Sequence, residues 1–182
     1  MLTPAHSAAL VRIAVGLYFV KSAFQKTTAG WFASSDPMLA FLQANIDGSE
    51  PFYRQFIEQG VLIDPARVAQ LVVIGEWVAG GLLVLGLLSR LGAIVGIAMV
   101  LNFALAKGLM NALTAPAGNE YLFIAILCAL ALTPVGLIWG LDGALRPALS
   151  SNPVGRWLAA LPVDSRAAIH AVSAPEEVHR AA

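Results

Sequence analysis

The stretch VAQLVVIGEWVAGGLLVLGLL, residues 68–88, carries one carboxylate, Glu76, near the middle of an otherwise apolar run. About 20 such residues are what a helix needs to cross a hydrocarbon core of roughly 30 Å. A charged side chain at that depth costs about 2.5 to 3.5 kcal/mol on insertion scales, so it faces a bundle interior, a partner or a cavity. Glu76 is therefore the first candidate for function, and the rest of the chain is read for what answers it.

The chain as a whole has the composition of an integral membrane protein: 58% of its residues are hydrophobic and 12% charged, with a mean hydropathy of +0.75. The lipid bilayer is the first expected partner. A formal net charge of zero with scattered cations gives no reason to expect nucleic acid. His6, His170 and His179 lie outside the apolar runs, and no CxxC pair, phosphate loop, GxGxxG fingerprint or metal-spaced donor set occurs, so no haem, flavin or metal site is expected. Cys128 alone can form no intrachain disulfide and reads as a small buried hydrophobe.

Four spans are expected, at about 8–26, 68–88, 91–110 and 120–141. The first has no cleavable signal pattern and reads as a retained helix, with Arg12 snorkelling to the near interface. Between the first two spans, residues 27–65 form a long polar excursion rich in turn residues. Within it PMLAFLQANI and PFYRQFIEQGVLI each begin with a proline suited to a first helical turn, predicting two short amphipathic helices that cap the bundle. Glycines at 75, 80, 81, 86, 92 and 96 predict close helix contacts. Thr133-Pro134 predicts a kink in the last span, and residues 114–119 a turn. The fold class is all-α: an antiparallel four-helix membrane bundle over residues 1–145, followed by an amphipathic and then disordered cytoplasmic tail over 146–182. The basic tail places both termini in the cytoplasm and the long loop outside.

At 1.5 Å per residue, Glu76 and Asn102 lie roughly 12 Å, and Lys21 roughly 8 Å, below the loop-side ends of their spans. These three share a level, with Lys107, Glu120 and Tyr121 nearer the mouth. The pattern predicts a polar pocket in which Glu76 and Lys21 carry the chemistry and Asn102, Lys107, Glu120 and Tyr121 bind substrate. A buried Lys21–Glu76 ion pair that merely sets helix register is the rival reading, and Lys21 snorkelling outward is another.

Arg12-x-x-x-Gly16-x-x-Phe19 with Lys21 and Lys26, then Gly75-Glu76, Gly80-Gly81-Leu82-Leu83-Val84-Leu85-Gly86-Leu87 and Arg90, resemble the DoxX and DoxD family of small four-helix membrane proteins. The resemblance spans about 11–141. It implies a protein of the cytoplasmic (inner) membrane, similar in one branch to a thiosulfate:quinone oxidoreductase subunit, with quinone as an exchangeable co-substrate and a second oxidoreductase subunit or a homo-oligomer as partner. The alternative is a non-catalytic scaffold docking a soluble redox enzyme. No residue of the matching motif can itself hold an electron.

Overall fold

The computed structural model describes residues 4–114 and 119–161. Every regular element among them is helical: α1 Pro4–Thr28, α2 Asp36–Asn45, α3 Pro51–Gln59, α4 Pro65–Leu85, α5 Ser89–Lys107, α6 Leu109–Thr114, α7 Glu120–Leu132, and short helices α8 Leu141–Ala144, α9 Arg146–Ser150 and α10 Pro153–Leu158, with 3-10 turns at Ile46–Gly48, Val61–Ile63 and Val135–Leu137. Among the described residues, α1, α4 and α5 are long and apolar enough to cross a membrane, and α7 is a shorter apolar helix. The expected turn at 114–119 and disordered tail end lie largely outside the described residues.

Helix α1 packs along α4, α4 against α5, and α5 against α7. The contacts are close because glycine faces backbone. A Cβ on Gly16 would lie 2.7 Å from the Val84 nitrogen, and one on Gly80 2.8 Å from the Val20 nitrogen. Those two pairs sit one turn apart on each helix, so the small-residue face works in register. Gly96 likewise admits Leu127 and Phe19, placing α7 and α1 against α5. Around these contacts Val15, Phe19, Leu83, Val100, Leu127 and Leu130 form the inner core. A second cluster, of Trp31, Met38, Leu42, Ile57, Val61 and Val73, seats α2, α3 and the Val61–Ile63 turn on the first half of α4. Leu17, Phe24, Leu71, Leu85, Leu101 and, on α7, Leu122 remain exposed, as a lipid-facing surface requires.

The helix ends follow their local chemistry. Asp64 accepts a hydrogen bond from the Arg67 amide at 3.1 Å, with Pro65 in the first turn of α4. Gly86, at φ +61°, closes α4 in the left-handed conformation that glycine tolerates. The α4–α5 turn is then held from far along the chain. Asp142 accepts from the amides of Leu88 (2.6 Å) and Ser89 (3.0 Å) and from the Ser89 hydroxyl, capping α5 across the fold.

Three expectations change. Arg12 does not snorkel: it is fully buried, donates from Nη2 to the Trp139 carbonyl at 2.8 Å and lies within the field of Asp142. Glycine at 86 and 140 makes room for it, since a Cβ at either position would run into the guanidinium. The last span does not kink and continue to 141. It stops at Leu132, because Pro134 has no amide proton and holds Thr133 in an extended conformation (φ −117°, ψ 146°). Cys128 is exposed, not buried, because the inward face of α7 runs through Glu120, Leu127 and Leu130 and position 128 is rotated about 100° from 127.

Candidate functional site

Glu76 belongs to the buried stripe Ala69, Val73, Glu76, Gly80, Leu83 of α4, so it faces α1 and not lipid. On α1 the buried positions Arg12, Val15, Gly16, Phe19 and Ala23 continue at the same helical spacing to Lys26, and Ser22 lies one turn before it. The Lys26 ammonium donates to Glu76 Oε1 at 2.7 Å and to Ser22 Oγ at 2.8 Å, and the Ser22 hydroxyl donates to the same Oε1 at 3.0 Å. The Glu76 side chain is 3% exposed and that of Lys26 18%, so the pair works at low dielectric. Lys26 Nζ also stands over the Phe103 ring, 4.9 Å from its centroid, and 5.6 Å from that of Trp31.

A second ion pair closes the loop-side end: Lys107 Nζ to Glu120 Oε1 at 2.6 Å. Its position depends on the break between α5 and α6. Gly108, at φ +87°, ends α5 hard against the carbonyl of Gly48, where any Cβ would collide. Glu50 spans the break, its amide donating to the Leu105 carbonyl at 3.4 Å and its carboxylate accepting from the Leu109 amide at 3.1 Å. Both ion pairs line one cavity of about 250 Å³, walled by Tyr18, Phe19, Trp31, Phe41, Phe103 and Phe123. Two buried atoms on its lining residues have no hydrogen-bond partner, Glu76 Oε2 and Glu120 Oε2. Ionised carboxylate oxygens can only accept, so each of these two residues keeps one unsatisfied acceptor beside the cavity.

A DoxX family model matches residues 7–107. The chain belongs to the DoxX family. Ser22, Lys26, Glu76 and Lys107 fall within the DoxX match, whereas Glu120 and the whole of α7 lie beyond it. No curated protein and no solved structure matches the chain.

Of the residues singled out from the sequence, Glu76, Lys107 and Glu120 meet in this cavity. Asn102 does not join them; it accepts from the Tyr53 hydroxyl at 2.6 Å and lines a neighbouring crevice beneath α2 and α3. Tyr121 donates to the Leu109 carbonyl at 2.9 Å and so supports the α6 side of the mouth. Lys21 is exposed, and the expected Lys21–Glu76 pair is replaced by Lys26–Glu76. The reason is angular: position 21 is about 100° from Ser22 and roughly 140° from Lys26 around the helix. Depth along α1 favoured Lys21, but the heptad spacing of Arg12, Phe19 and Lys26 was the signal that identifies the inward face.

Proposed function

We propose that this DoxX protein is the membrane subunit of a quinone-linked oxidoreductase, and that the α1–α4 cavity is where a quinone exchanges protons. The observation that carries this reading is Glu76 Oε2, a buried carboxylate oxygen with no partner, on an aromatic-walled cavity beside a lysine and a serine. Glu76 gives a proton to the quinone, is reprotonated from water and gives the second, while Ser22 and Lys26 hold the carboxylate and stabilise its charge between transfers. Reduction of a quinone needs two electrons and two protons. The electrons come from a donor on a second subunit, with thiosulfate or a similar sulfur anion as their source. The bilayer arrangement is an antiparallel four-helix bundle in the inner membrane, with α7 as a shortened fourth crossing. Residues 1–145 form the membrane domain, 146–182 a cytoplasmic tail, and both termini are cytoplasmic.

The test is quinone reduction by the protein purified with its membrane partner and supplied with thiosulfate. Turnover that falls at least tenfold in Glu76→Gln supports the reading, and unchanged turnover in that variant removes Glu76 from the mechanism. A second reading is favoured by Phe52, Phe56 and Ile63, which are 63%, 53% and 77% exposed on and beside α3. They suit a scaffold that docks a soluble redox enzyme on its outer loop. Loss of a co-purifying enzyme on deletion of residues 31–63, with no quinone chemistry in the intact protein, would favour it.

A further inference from the structure

The free valences of the cavity say more about its occupant than its charges do. Lys26 uses two of its three N–H donors on Glu76 and Ser22, and its ammonium stands over the rings of Phe103 and Trp31. Lys107 is matched by Glu120, and with a side chain 34% exposed it can give its remaining donors to water. Each cation thus has its own carboxylate, and among the described residues that line this cavity the buried atoms without partners are Glu76 Oε2 and Glu120 Oε2. An acceptor-only oxyanion such as thiosulfate would meet two carboxylate oxygens with nothing to give them. A molecule carrying hydroxyl donors would satisfy both.

Beside this cavity lies an apolar crevice of about 470 Å³ between α4, α5 and the helices α2 and α3, lined among others by Met38, Leu42, Ile57, Val61, Val72 and Met99. Trp31, Phe41 and Phe103 line both spaces. The polar pair at the crevice, Tyr53 and Asn102, is bonded to itself. One space therefore suits a ring with hydroxyls, and the space sharing its walls suits a hydrocarbon. The crevice by itself falls in the roughly 300 to 1,000 Å³ range of small-molecule sites.

We propose that this site recognises the reduced, dihydroxy form of a tailed quinone, its hydroxyls donating to Glu76 Oε2 and Glu120 Oε2 and its apolar tail lying in the crevice under α2 and α3, and that it excludes the sulfur oxyanion. This rests on the quinone-linked reading and specifies which redox form the cavity holds. It also assigns Glu120, outside the family match, to ligand recognition, and makes the loop helices the cover of the tail. The anionic donor then binds on another subunit.

Isothermal titration of the full-length protein in lipid nanodiscs tests the proposal, with decylubiquinol, decylubiquinone, the tail-less dimethoxy-methyl hydroquinone and sodium thiosulfate as probes. Decylubiquinol should bind at least tenfold more tightly than either the quinone or the tail-less quinol. Thiosulfate should not compete. Glu120→Gln should weaken both quinols about tenfold, the scale of one charge-assisted hydrogen bond over a neutral one. Val72→Trp, which fills the crevice, should bring decylubiquinol to the affinity of the tail-less quinol while leaving the latter unchanged, so that the tail-less probe reports a folded protein. Competition by thiosulfate, tighter binding of the oxidised form, or a tail preference that survives Val72→Trp overturns the proposal. Selective quinol binding without turnover leaves it standing while the oxidoreductase reading falls. Turnover with no tail or redox preference does the reverse.

Discussion

Replacing Glu76 by Gln keeps the shape and an acceptor oxygen but removes the charge that neutralises Lys26. With Lys26 only 18% and Glu76 3% exposed, little water can compensate. Breaking a buried pair from one side costs about 3 to 5 kcal/mol. The rings of Phe103 and Trp31, 4.9 and 5.6 Å from the ammonium, are in place in the parent as well and so do not reduce that cost. The expectation is a loss of about 3 to 5 kcal/mol. The double variant Lys26→Met with Glu76→Leu removes both charges and should lie within about 1 kcal/mol of the parent, because a buried pair and a well-packed apolar pair are nearly equivalent in stability. Reversible unfolding in detergent micelles, run as a double-mutant cycle, measures both. The cycle also separates two roles of the pair. If it only sets helix register, the stable double variant keeps quinol binding; if it is a ligand site, the double variant is folded and does not bind. A single variant as stable as the parent, or a double variant as unstable as the single, would refute the electrostatic reasoning.

Lys21→Met should leave quinol binding unaltered, since Lys21 is exposed and does not line the cavity; the same titrations check it. Gly86→Ala should cost at least about 2 kcal/mol in the unfolding assay, because it adds a Cβ where the Arg12 guanidinium lies and disfavours φ +61°. Asp142→Asn, which weakens the cap on α5 and leaves the buried Arg12 without its nearest opposite charge, should cost a similar amount. Burial of the Tyr53 phenol raises its pKa above the ordinary value near 10. A raised value means that the folded state holds the proton more tightly. The α3–α5 latch is therefore at full strength below about pH 10 and is lost as pH rises through the higher folded value. Proteolysis of the loop helices should accelerate only in that alkaline range, and Tyr53→Phe should remove the step.

The helical architecture was legible because hydropathy and prolines speak directly: the three long spans, and the loop helices beginning near Pro37 and Pro51, lie close to where the sequence puts them. The site was half legible. An acidic residue inside an apolar run had to face inward, and Glu76 does. Its partner is Lys26 and not Lys21, because depth along a helix does not fix rotation about it, and the two lysines are roughly 140° apart around α1. Asn102 does not join Glu76 but bonds to Tyr53, whose approach depends on how α3 folds back, a tertiary fact without local signal. The Arg12–Asp142 region was hidden for the same reason. One charge stands near the start of the chain and the other beyond α7, and only the packing of Gly86 and Gly140 brings them together.

Infrared difference spectroscopy of the membrane-embedded protein tests the central claim most directly, because it reports the Glu76 carboxylate itself. Addition of a quinol should perturb a carboxylate stretching band that disappears in Glu76→Gln and persists in Lys21→Met. A spectrum in which quinol leaves that band untouched, or in which Glu76→Gln gives the same difference as the parent, would contradict the account.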